Sequence, residues 1–208
     1  MDMLDILDLI GVVSFTISGA LVAVRKKMDY LGICILGLIT AFGGGAIRDI
    51  TIGNTPPVMF RNPVYAGISF LVSNIVFIVL YRRKVSKPLT SFIFEKALFW
   101  FDTVGLASFT VNGVIVGQSM TDGGFFLCSF LGVITGVGGG VIRDLLADTV
   151  PAIFVKHVYA MASICGALLT CLLWNVSVPA AVFSGLASVV VIRVLAMHFR
   201  WNLPKIRK

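Results

Sequence analysis

A motif of three glycines followed by an Arg-Asp pair occurs twice in this 208-residue chain. The first copy is Ala41-Phe-Gly-Gly-Gly-Ala-Ile-Arg-Asp49, and the second, 95 positions later, is Gly136-Val-Gly-Gly-Gly-Val-Ile-Arg-Asp144. Each copy lies in a long apolar segment, where a glycine weakens a helix by about 1 kcal/mol relative to alanine and where charge is costly in lipid. Carbonyl oxygens freed at a helix break can coordinate cations. The motif could therefore line a path for an ion or a small substrate.

The glycine triplets allow two interpretations. In the first, each triplet kinks or unwinds its helix, because irregular backbone in a membrane survives only when it is buried in protein or lines a wet cavity. In the second, small residues let two helices pack closely, which is how we interpret Gly37 and Gly132. The symmetric repetition beside Arg-Asp pairs favours a pore or substrate site. The predicted kink residues are Gly43, Gly44, Gly45, Gly138, Gly139 and Gly140.

The Arg-Asp pairs place four charges within apolar segments: Arg48, Asp49, Arg143 and Asp144. An unpaired charge near a helix centre costs about 2.5–3.5 kcal/mol, so these side chains must be paired or solvated. Neighbouring residues point about 100° apart on a helix, and the pseudo-symmetry instead predicts two crossing pairs, Arg48 with Asp144 and Arg143 with Asp49. Such pairs would form either a gate of the path or an inert structural clasp between the repeats.

Two further acidic residues, Asp8 and Asp102, match each other at the start of apolar segments. Short acidic side chains at such positions are expected to cap a helix N-terminus, and attraction of cations to a pore mouth is the alternative. Pro56, Pro57 and Pro151 follow the motif copies. They are expected to end the broken helices, because proline interrupts helical hydrogen bonding.

The composition is that of a membrane protein, with 58% hydrophobic and 13% charged residues. Apolar runs recur at about 20 residues, the length at which a helix spans a bilayer. Their continuity argues against the alternating pattern of barrel strands. Seven transmembrane helices are predicted, over Leu4–Val24, Tyr30–Thr51, Val64–Tyr81, Lys96–Gly117, Gly123–Ala147, Val158–Trp174 and Val178–Phe199.

The similarity between the two halves extends well beyond the motif. Asp8-Leu-Ile-Gly11 matches Asp102-Thr-Val-Gly105, and Ser14-Phe-Thr-Ile-Ser-Gly19 matches Ser108-Phe-Thr-Val-Asn-Gly113. Because each repeat carries an odd number of spans, the second must enter the membrane in the opposite sense, as in the inverted repeats of many transport proteins. The sequence predicts an all-α integral membrane protein with seven transmembrane helices: two inverted three-helix repeats over residues 1–90 and 91–177, then a seventh helix and a basic tail over 178–208.

Basic residues mark one side of this layout, whereas the opposite side carries Arg61 alone. Because cytoplasmic loops are enriched in Lys and Arg, the N-terminus is predicted outside and the C-terminus in the cytoplasm. Orientation accounts for most of the net charge of +7; binding of anionic lipid head groups is the alternative, and nucleic acid is not an expected partner. The cytoplasmic basic residues are Arg25, Lys26, Lys27, Arg82, Arg83, Lys84, Lys87, Lys156, Arg200, Lys205, Arg207 and Lys208.

The sequence contains no pattern typical of an enzyme. We find no Ser-His-Asp, Cys-His, metal-ligand or phosphate-loop spacing in it. Neither catalysis, nor a cofactor, nor a fixed metal ion is therefore expected.

The doubled motif, within a layout of three, three and one spans, resembles the prokaryotic TRIC family, the trimeric intracellular cation channels. The resemblance covers roughly residues 4–174 and extends to the broader bacterial family of glycine-transporter or UPF0126 proteins. It implies a homotrimer in the inner membrane, with a pore in each protomer that is lined by the kinked second and fifth helices and passes K⁺ and Na⁺ near the glycines. A carrier for a small amino acid such as glycine is the alternative function, and a structural membrane protein is a third.

Overall fold

The computed structural model describes residues 2–86, 91–120, 124–155 and 158–201. The predicted loop residues 121–123 and the basic residues Lys87, Lys156, Lys205, Arg207 and Lys208 lie outside these ranges. Within them, the regular structure is helical. In chain order the helices are α1 (Met3–Arg25), α2 (Tyr30–Thr51), α3 (Val58–Arg61), α4 (Pro63–Ser86), α5 (Ser91–Met120), α6 (Gly124–Leu146), α7 (Ala152–Val155), α8 (Tyr159–Leu173) and α9 (Val178–His198).

In the described part of the chain, six helices are long and apolar enough to cross a membrane: α1, α2, α4, α5, α6 and α9. This confirms an all-helical membrane protein. Helix α8 is shorter, with 15 residues, which corresponds to about 22 Å at 1.5 Å per residue, against a hydrocarbon thickness of about 30 Å. A complete crossing by the predicted segment 158–174 therefore stays a prediction.

Acidic side chains do cap helices, but at other positions than expected. The Asp2 N–H donates to the Asp5 carboxylate at 3.0 Å before α1, and the Asp29 carboxylate accepts from the Gly32 N–H at 2.7 Å before α2. These contacts satisfy N–H groups that lack partners in a first turn. The capping role expected of Asp8 and Asp102 is wrong, because Asp8 lies inside α1 and Asp102 lies inside α5.

The prolines after the motif copies do not end the motif helices, and two of them directly precede short helices. Helix α2 ends at Thr51 and α6 at Leu146, ahead of Pro56, Pro57 and Pro151. Pro57 is the N-cap residue of α3, and Pro151 directly precedes α7. Proline is tolerated there because the first turn of a helix leaves its N–H groups without intrahelical partners. The expectation that these prolines end the motif helices is wrong.

Helices α1 and α5, the matched first helices of the two repeats, pack through reciprocal Phe–Gly contacts. Phe15 and Phe109 are buried and meet edge to face, with ring centroids 5.3 Å apart. A Cβ on Gly11 would lie 2.6 Å from Phe109 Cε1, and a Cβ on Gly105 would overlap the Phe15 ring. Each ring thus occupies the space that a side chain on the other helix would need.

Contacts between α1 and α5 define two ends of the helix bundle. At one end, Asn112 Nδ2 of α5 donates to Asp8 Oδ1 of α1 at 3.0 Å. At the other, Arg25 Nη1 of α1 lies 2.8 Å from Glu95 Oε1 of α5. We call these the Asp8 end and the Arg25 end. Because α5 begins where α1 ends, the two helices are antiparallel.

The matched second helices, α2 and α6, also run in opposite directions. Arg48, in the last turn of α2, donates to Asn112 at the Asp8 end. The carbonyl oxygen of Asp148, just after α6, accepts a hydrogen bond of 3.1 Å from Lys26 at the Arg25 end. The two motif copies therefore point toward opposite ends of the bundle.

Candidate functional site

Gly44 and Gly139, the central glycines of the two triplets, are buried contact points between α2 and α6. A Cβ on Gly44 would overlap the Thr135 carbonyl oxygen of α6, and a Cβ on Gly139 would overlap the Thr40 carbonyl oxygen of α2. The two threonines are themselves matched positions of the repeat, so the contact is reciprocal. In this structure the central glycines serve close packing of backbone against backbone.

The unwound stretch expected at the triplets is wrong for this conformation. Helices α2 and α6 are α-helical throughout Tyr30–Thr51 and Gly124–Leu146. Tertiary packing supplies most of the stability of a protein helix, and here the close partner helix offsets the low helix propensity of glycine. A bend that keeps the helical hydrogen bonds stays a prediction.

The remaining glycines of the triplets differ in the space around them. On Gly43, Gly138 and Gly140 an added Cβ would meet atoms of α6, α2 and α8, respectively, at 2.7–3.0 Å. On Gly45 the nearest such atom would be Arg48 Nη2, at 3.8 Å. Gly45 is therefore the triplet glycine with open space beside it, and it lines a cavity.

Arg48 and Asp49 form an ion pair inside the first motif copy. Arg48 Nε and Nη2 lie 2.8 and 2.7 Å from Asp49 Oδ1, and both side chains are buried. Arg48 Nη1 donates to Asn112 Oδ1 of α5 at 2.6 Å, and the Asn112 amide donates in turn to Asp8. An asparagine thus stands between the arginine and the first aspartate of the repeat. We call Asp8, Arg48, Asp49 and Asn112 the first cluster.

Arg143 and Asp144 form the same ion pair in the second copy. Arg143 Nε and Nη2 lie 2.9 and 2.8 Å from Asp144 Oδ1. Arg143 Nη1 contacts Asp102 Oδ1 directly at 2.7 Å and also donates to the Ser18 hydroxyl of α1. Ser18 occupies the position that matches Asn112, and its shorter side chain does not separate the arginine from the aspartate.

The predicted crossing pairs, Arg48 with Asp144 and Arg143 with Asp49, are wrong. The separation of about 100° between neighbouring residues applies where the side chains leave the helix, and the long arginine side chain brings its guanidinium back to the adjacent carboxylate. The hydrogen bonds between the repeats come from the third guanidinium nitrogen of each arginine. Arg48 Nη1 donates to Asn112 of α5, and Arg143 Nη1 donates to Ser18 of α1. Each arginine is thus paired within its own helix and hydrogen-bonded to the other repeat.

The second carboxylate oxygen of each motif aspartate holds the short helix that follows. Asp49 Oδ2 accepts from the Val58 N–H at 2.9 Å, and Asp144 Oδ2 accepts from the Ala152 N–H at 2.8 Å. These N–H groups belong to the first turns of α3 and α7, where intrahelical partners are absent. Both oxygens of each buried aspartate are therefore satisfied, which lowers the cost of burying them.

Two cavities lie beside the two motif copies, at opposite ends of the bundle. The first has a volume of about 50 Å³ and lies at the Asp8 end. The second has a volume of about 520 Å³ and lies at the Arg25 end. The first is lined by Asp8, Gly45, Arg48, Asp49, Tyr65 and Phe109, among others; the second is lined by Glu95, Lys96, Phe99, Asp102, Arg143, Arg193 and Met197, among others.

Arg193, on α9, is the candidate residue that the sequence interpretation missed. It is only 4% exposed, and its guanidinium carbon lies 4.7 Å from the Phe99 ring centroid and 4.8 Å from that of Tyr159. Its Nη2 is 3.4 Å from Asp102 Oδ2. The available signal was a lone arginine within the seventh apolar segment, which by itself marks a functional position in a membrane protein. We call Asp102, Arg143, Asp144 and Arg193 the second cluster.

The two clusters differ in formal charge. The first combines one arginine with two aspartates, for a net charge of −1, because its fourth member is a neutral asparagine. The second combines two arginines with two aspartates, for a net charge of zero. The difference is the arginine from α9, which lies outside the duplicated part of the sequence.

Comparison with known proteins extends the similarity beyond the motifs. A family model described as Glycine transporter matches residues 5–81 and again residues 99–175. The chain is also 35% identical to the UPF0126 inner membrane protein YadS of Escherichia coli strain K12, over 199 residues that cover 95% of this chain and 92% of that protein. Both motif copies fall within the matched ranges.

Solved structures show the same fold over nearly the whole chain. The TRIC trimeric intracellular cation channel orthologue from Rhodobacter sphaeroides superposes with a TM-score of 0.85 at 32% identity, covering 97% of this chain and 100% of that one. A prokaryotic TRIC channel in 0.5 M KCl superposes with a TM-score of 0.88 at 29% identity, covering 97% and 98%. With this coverage, the shared fold is not limited to one repeat.

Proposed function

We propose that this chain, which belongs to the prokaryotic TRIC family of UPF0126 membrane proteins, is a channel for the monovalent cations K⁺ and Na⁺. It is a multi-pass protein of the inner membrane, as its relative YadS is named. We further propose a homotrimer in contact with membrane lipids, with one ion path in each protomer. The full-length similarity to solved trimeric cation channels supports this proposal.

The observation that carries the proposal is the net negative charge of the first cluster. Asp8 lines the first cavity and is only partly buried. A carboxylate at the mouth of a cavity with low-dielectric walls raises the local concentration of cations. The arginine of the same cluster is already neutralised by its neighbouring aspartate at 2.7 Å, so the remaining carboxylate is the one that acts on ions.

The proposed path runs from the first cavity, past the two clusters, to the second cavity. Gly45, Arg48 and Asp49 on α2 line the first cavity, and Arg143 on α6 lines the second. Between the cavities lie the clusters and the close contact of α2 with α6, which must move apart for ions to pass. The proposed pore residues are Gly43, Gly44, Gly45, Gly138, Gly139 and Gly140, and the proposed gate charges are Arg48, Asp49, Arg143 and Asp144.

The proposed architecture consists of two inverted three-helix repeats, over residues 1–90 and 91–177. Helix α9 and the basic tail, over residues 178–208, follow the second repeat. The antiparallel α1 and α5, the antiparallel α2 and α6, and the double match of one family model support it. In an inverted repeat the matched sites face opposite sides of the membrane. The Asp8 end would then face outward, and the Arg25 end would face the cytoplasm.

Reporter fusions test this orientation. Fusions after Ser86 and at Lys208 are expected to be cytoplasmic, and fusions near Gln118 and Val176 external, because Lys and Arg concentrate on the cytoplasmic side. The measurement is a paired phosphatase and fluorescent-protein assay in whole cells. Termini found on the same side of the membrane would overturn both the odd number of spans and the inverted repeat.

A carrier for a small amino acid such as glycine is the second candidate function. One support is the description of the matching family model. The other is the second cavity, which has a volume of about 520 Å³ and is lined by Asp102, Arg143 and Arg193. These charges of both signs could bind the amino and carboxylate groups of a zwitterion. A carrier must alternate access between the two ends of the bundle, whereas a channel opens both at once.

Recordings on purified protein separate the two candidates. We expect unitary K⁺ and Na⁺ currents in planar bilayers, with chloride contributing little to the reversal potential, because the first cluster is net negative. The same sample, in liposomes, should show no saturable glycine uptake. Saturable uptake without unitary currents would move the assignment to the carrier. Neither activity in folded trimers would favour the structural role.

A further inference from the structure

We infer that Arg193 of α9 closes the Arg25 end of the path to cations and acts as a gate that the two repeats do not contain. The inference rests on the proposed channel function and adds a residue and a mechanism to it. Three observations lead to it: the position of Arg193, the length of its polar contacts, and the net charge of the second cluster without it.

Arg193 lies where ions would enter the second cluster from the large cavity. Its side chain lines that cavity together with Asp102 and Arg143. It also contacts the rings of Phe99 and Tyr159, from α5 and α8, with its guanidinium carbon within 5 Å of both centroids. A guanidinium between two rings is favourably placed by cation–π attraction. Its positive charge at this position repels a cation approaching Asp102.

Of the two arginines on Asp102, Arg193 is held by the longer polar contacts. Arg143 makes contacts of 2.7–2.9 Å to Asp102 and Asp144. Arg193 reaches Thr103 Oγ1 at 3.3 Å and Asp102 Oδ2 at 3.4 Å. Contacts of this length lie beyond the usual N–H···O range of about 2.7–3.2 Å. Moving Arg193 away therefore breaks weaker polar contacts than moving Arg143. It also breaks the two ring contacts of Arg193, but it leaves the motif ion pair intact.

The first cluster, which has no counterpart of Arg193, shows the net charge that the second cluster would have without that arginine. The first cluster has the same arginine–aspartate pair and the matched aspartate, Asp8, and its net charge is −1. Removing the charge of Arg193 gives the second cluster the same net charge, with Asp102 Oδ2 free to face the cavity. The path would then present a carboxylate to cations at both ends. Displacement of Arg193 is thus the step that makes the inner half of the path resemble the outer half.

Potassium flux into proteoliposomes, together with single-channel recording, tests the gate. Arg193→Gln removes the charge and should raise open probability about tenfold, since one unit charge in a low-dielectric site is removed. Arg193→Lys keeps the charge but loses the planar guanidinium that stacks on the rings, so its open probability should lie between those of wild type and Arg193→Gln. Phe99→Leu removes one stacking ring and keeps the arginine, so it should raise open probability by a smaller factor; it also decides the question if Arg193→Gln does not fold.

Two control variants match these changes at residues that line neither cavity. Phe183→Leu alters a ring on α9 that is 72% exposed, and Arg61→Gln removes an exposed charge from α3; both should conduct like wild type. Unchanged or reduced currents in folded Arg193→Gln and Phe99→Leu, beside a conducting wild type, would overturn the gate alone. Absence of cation flux from wild type and all variants would overturn the proposed channel function and the gate with it.

Discussion

Replacing Gly44 or Gly139 by leucine is expected to abolish the folded protein. An added Cβ at either position already overlaps a backbone carbonyl oxygen of the facing helix, Thr135 or Thr40, and such an oxygen is displaced only when the whole helix moves. Overpacking of this kind costs about 1–3 kcal/mol for a small group and more for a larger one, so alanine should lower stability and leucine should prevent assembly. The measurement is fluorescence-detected size exclusion, with thermal unfolding of the solubilised variants.

Gly45 and Gly67 provide matched controls for this experiment. A Cβ on Gly45 would have Arg48 Nη2 at 3.8 Å as its nearest neighbour, and a Cβ on Gly67 would meet nothing within 4 Å. Alanine at either position should preserve assembly, since it favours a helix by about 1 kcal/mol over glycine. Gly19, though matched in the repeat, is unsuitable, because its Cβ would lie 2.7 Å from the Leu36 carbonyl oxygen. Normal stability of Gly44→Ala with altered cation flux would show that the triplet acts in the path instead.

The second large effect is expected at Arg143. Arg143→Met should destabilise the protein by about 3–5 kcal/mol, the cost of leaving a buried charge without its partner. Its removal strips the main contacts, at 2.7–2.9 Å, from two buried aspartates, Asp102 and Asp144. Arg193, whose polar contacts are longer, does not replace the contacts that Arg143 makes to either aspartate. Thermal and chemical unfolding in detergent would measure the loss.

A double-mutant cycle identifies the partner. Arg143→Met and Asp102→Asn should be coupled by about 0.5–3 kcal/mol, as residues in contact are. Arg143→Met and Asp49→Asn, one of the two pairs predicted from sequence, should be additive within about 0.5 kcal/mol, because Asp49 is held by Arg48 in its own helix. Strong coupling of Arg143 with Asp49 and none with Asp102 would contradict the geometry described above.

The positions of the helices could be predicted from the sequence because the bilayer imposes one requirement on every span. Runs of about 20 apolar residues have few alternatives to a helix in lipid. The internal repeat was equally accessible, since Asp, Gly, Arg and Pro recur at matched positions. The short helices α3 and α7 were not predicted. Each consists of 4 residues, and they depend on carboxylates of the preceding helix instead of on any periodicity of their own.

The partners of the charged residues could not be predicted. Sequence showed that Arg48 and Arg143 needed partners, but not that a flexible guanidinium folds back onto the next residue. The difference between Asn112 and Ser18 was visible in the aligned repeats. Its consequence was not, because the longer asparagine separates Arg48 from Asp8, whereas the shorter serine lets Arg143 contact Asp102 directly. Arg193 was not predicted because it lies on α9 and has no counterpart in the repeat.

The reciprocal contact of Gly44 with α6 and Gly139 with α2 has a consequence for biosynthesis. Neither half of the chain can bury these backbone atoms alone, because each surface is completed by a helix from the other half. The two glycines are 95 positions apart, so at about 5–20 residues per second α2 waits roughly 5–20 s for its partner to leave the ribosome. During that interval the nascent first half is an incomplete unit in the membrane, exposed to quality-control proteases. Separately expressed halves should accumulate only when they are produced together.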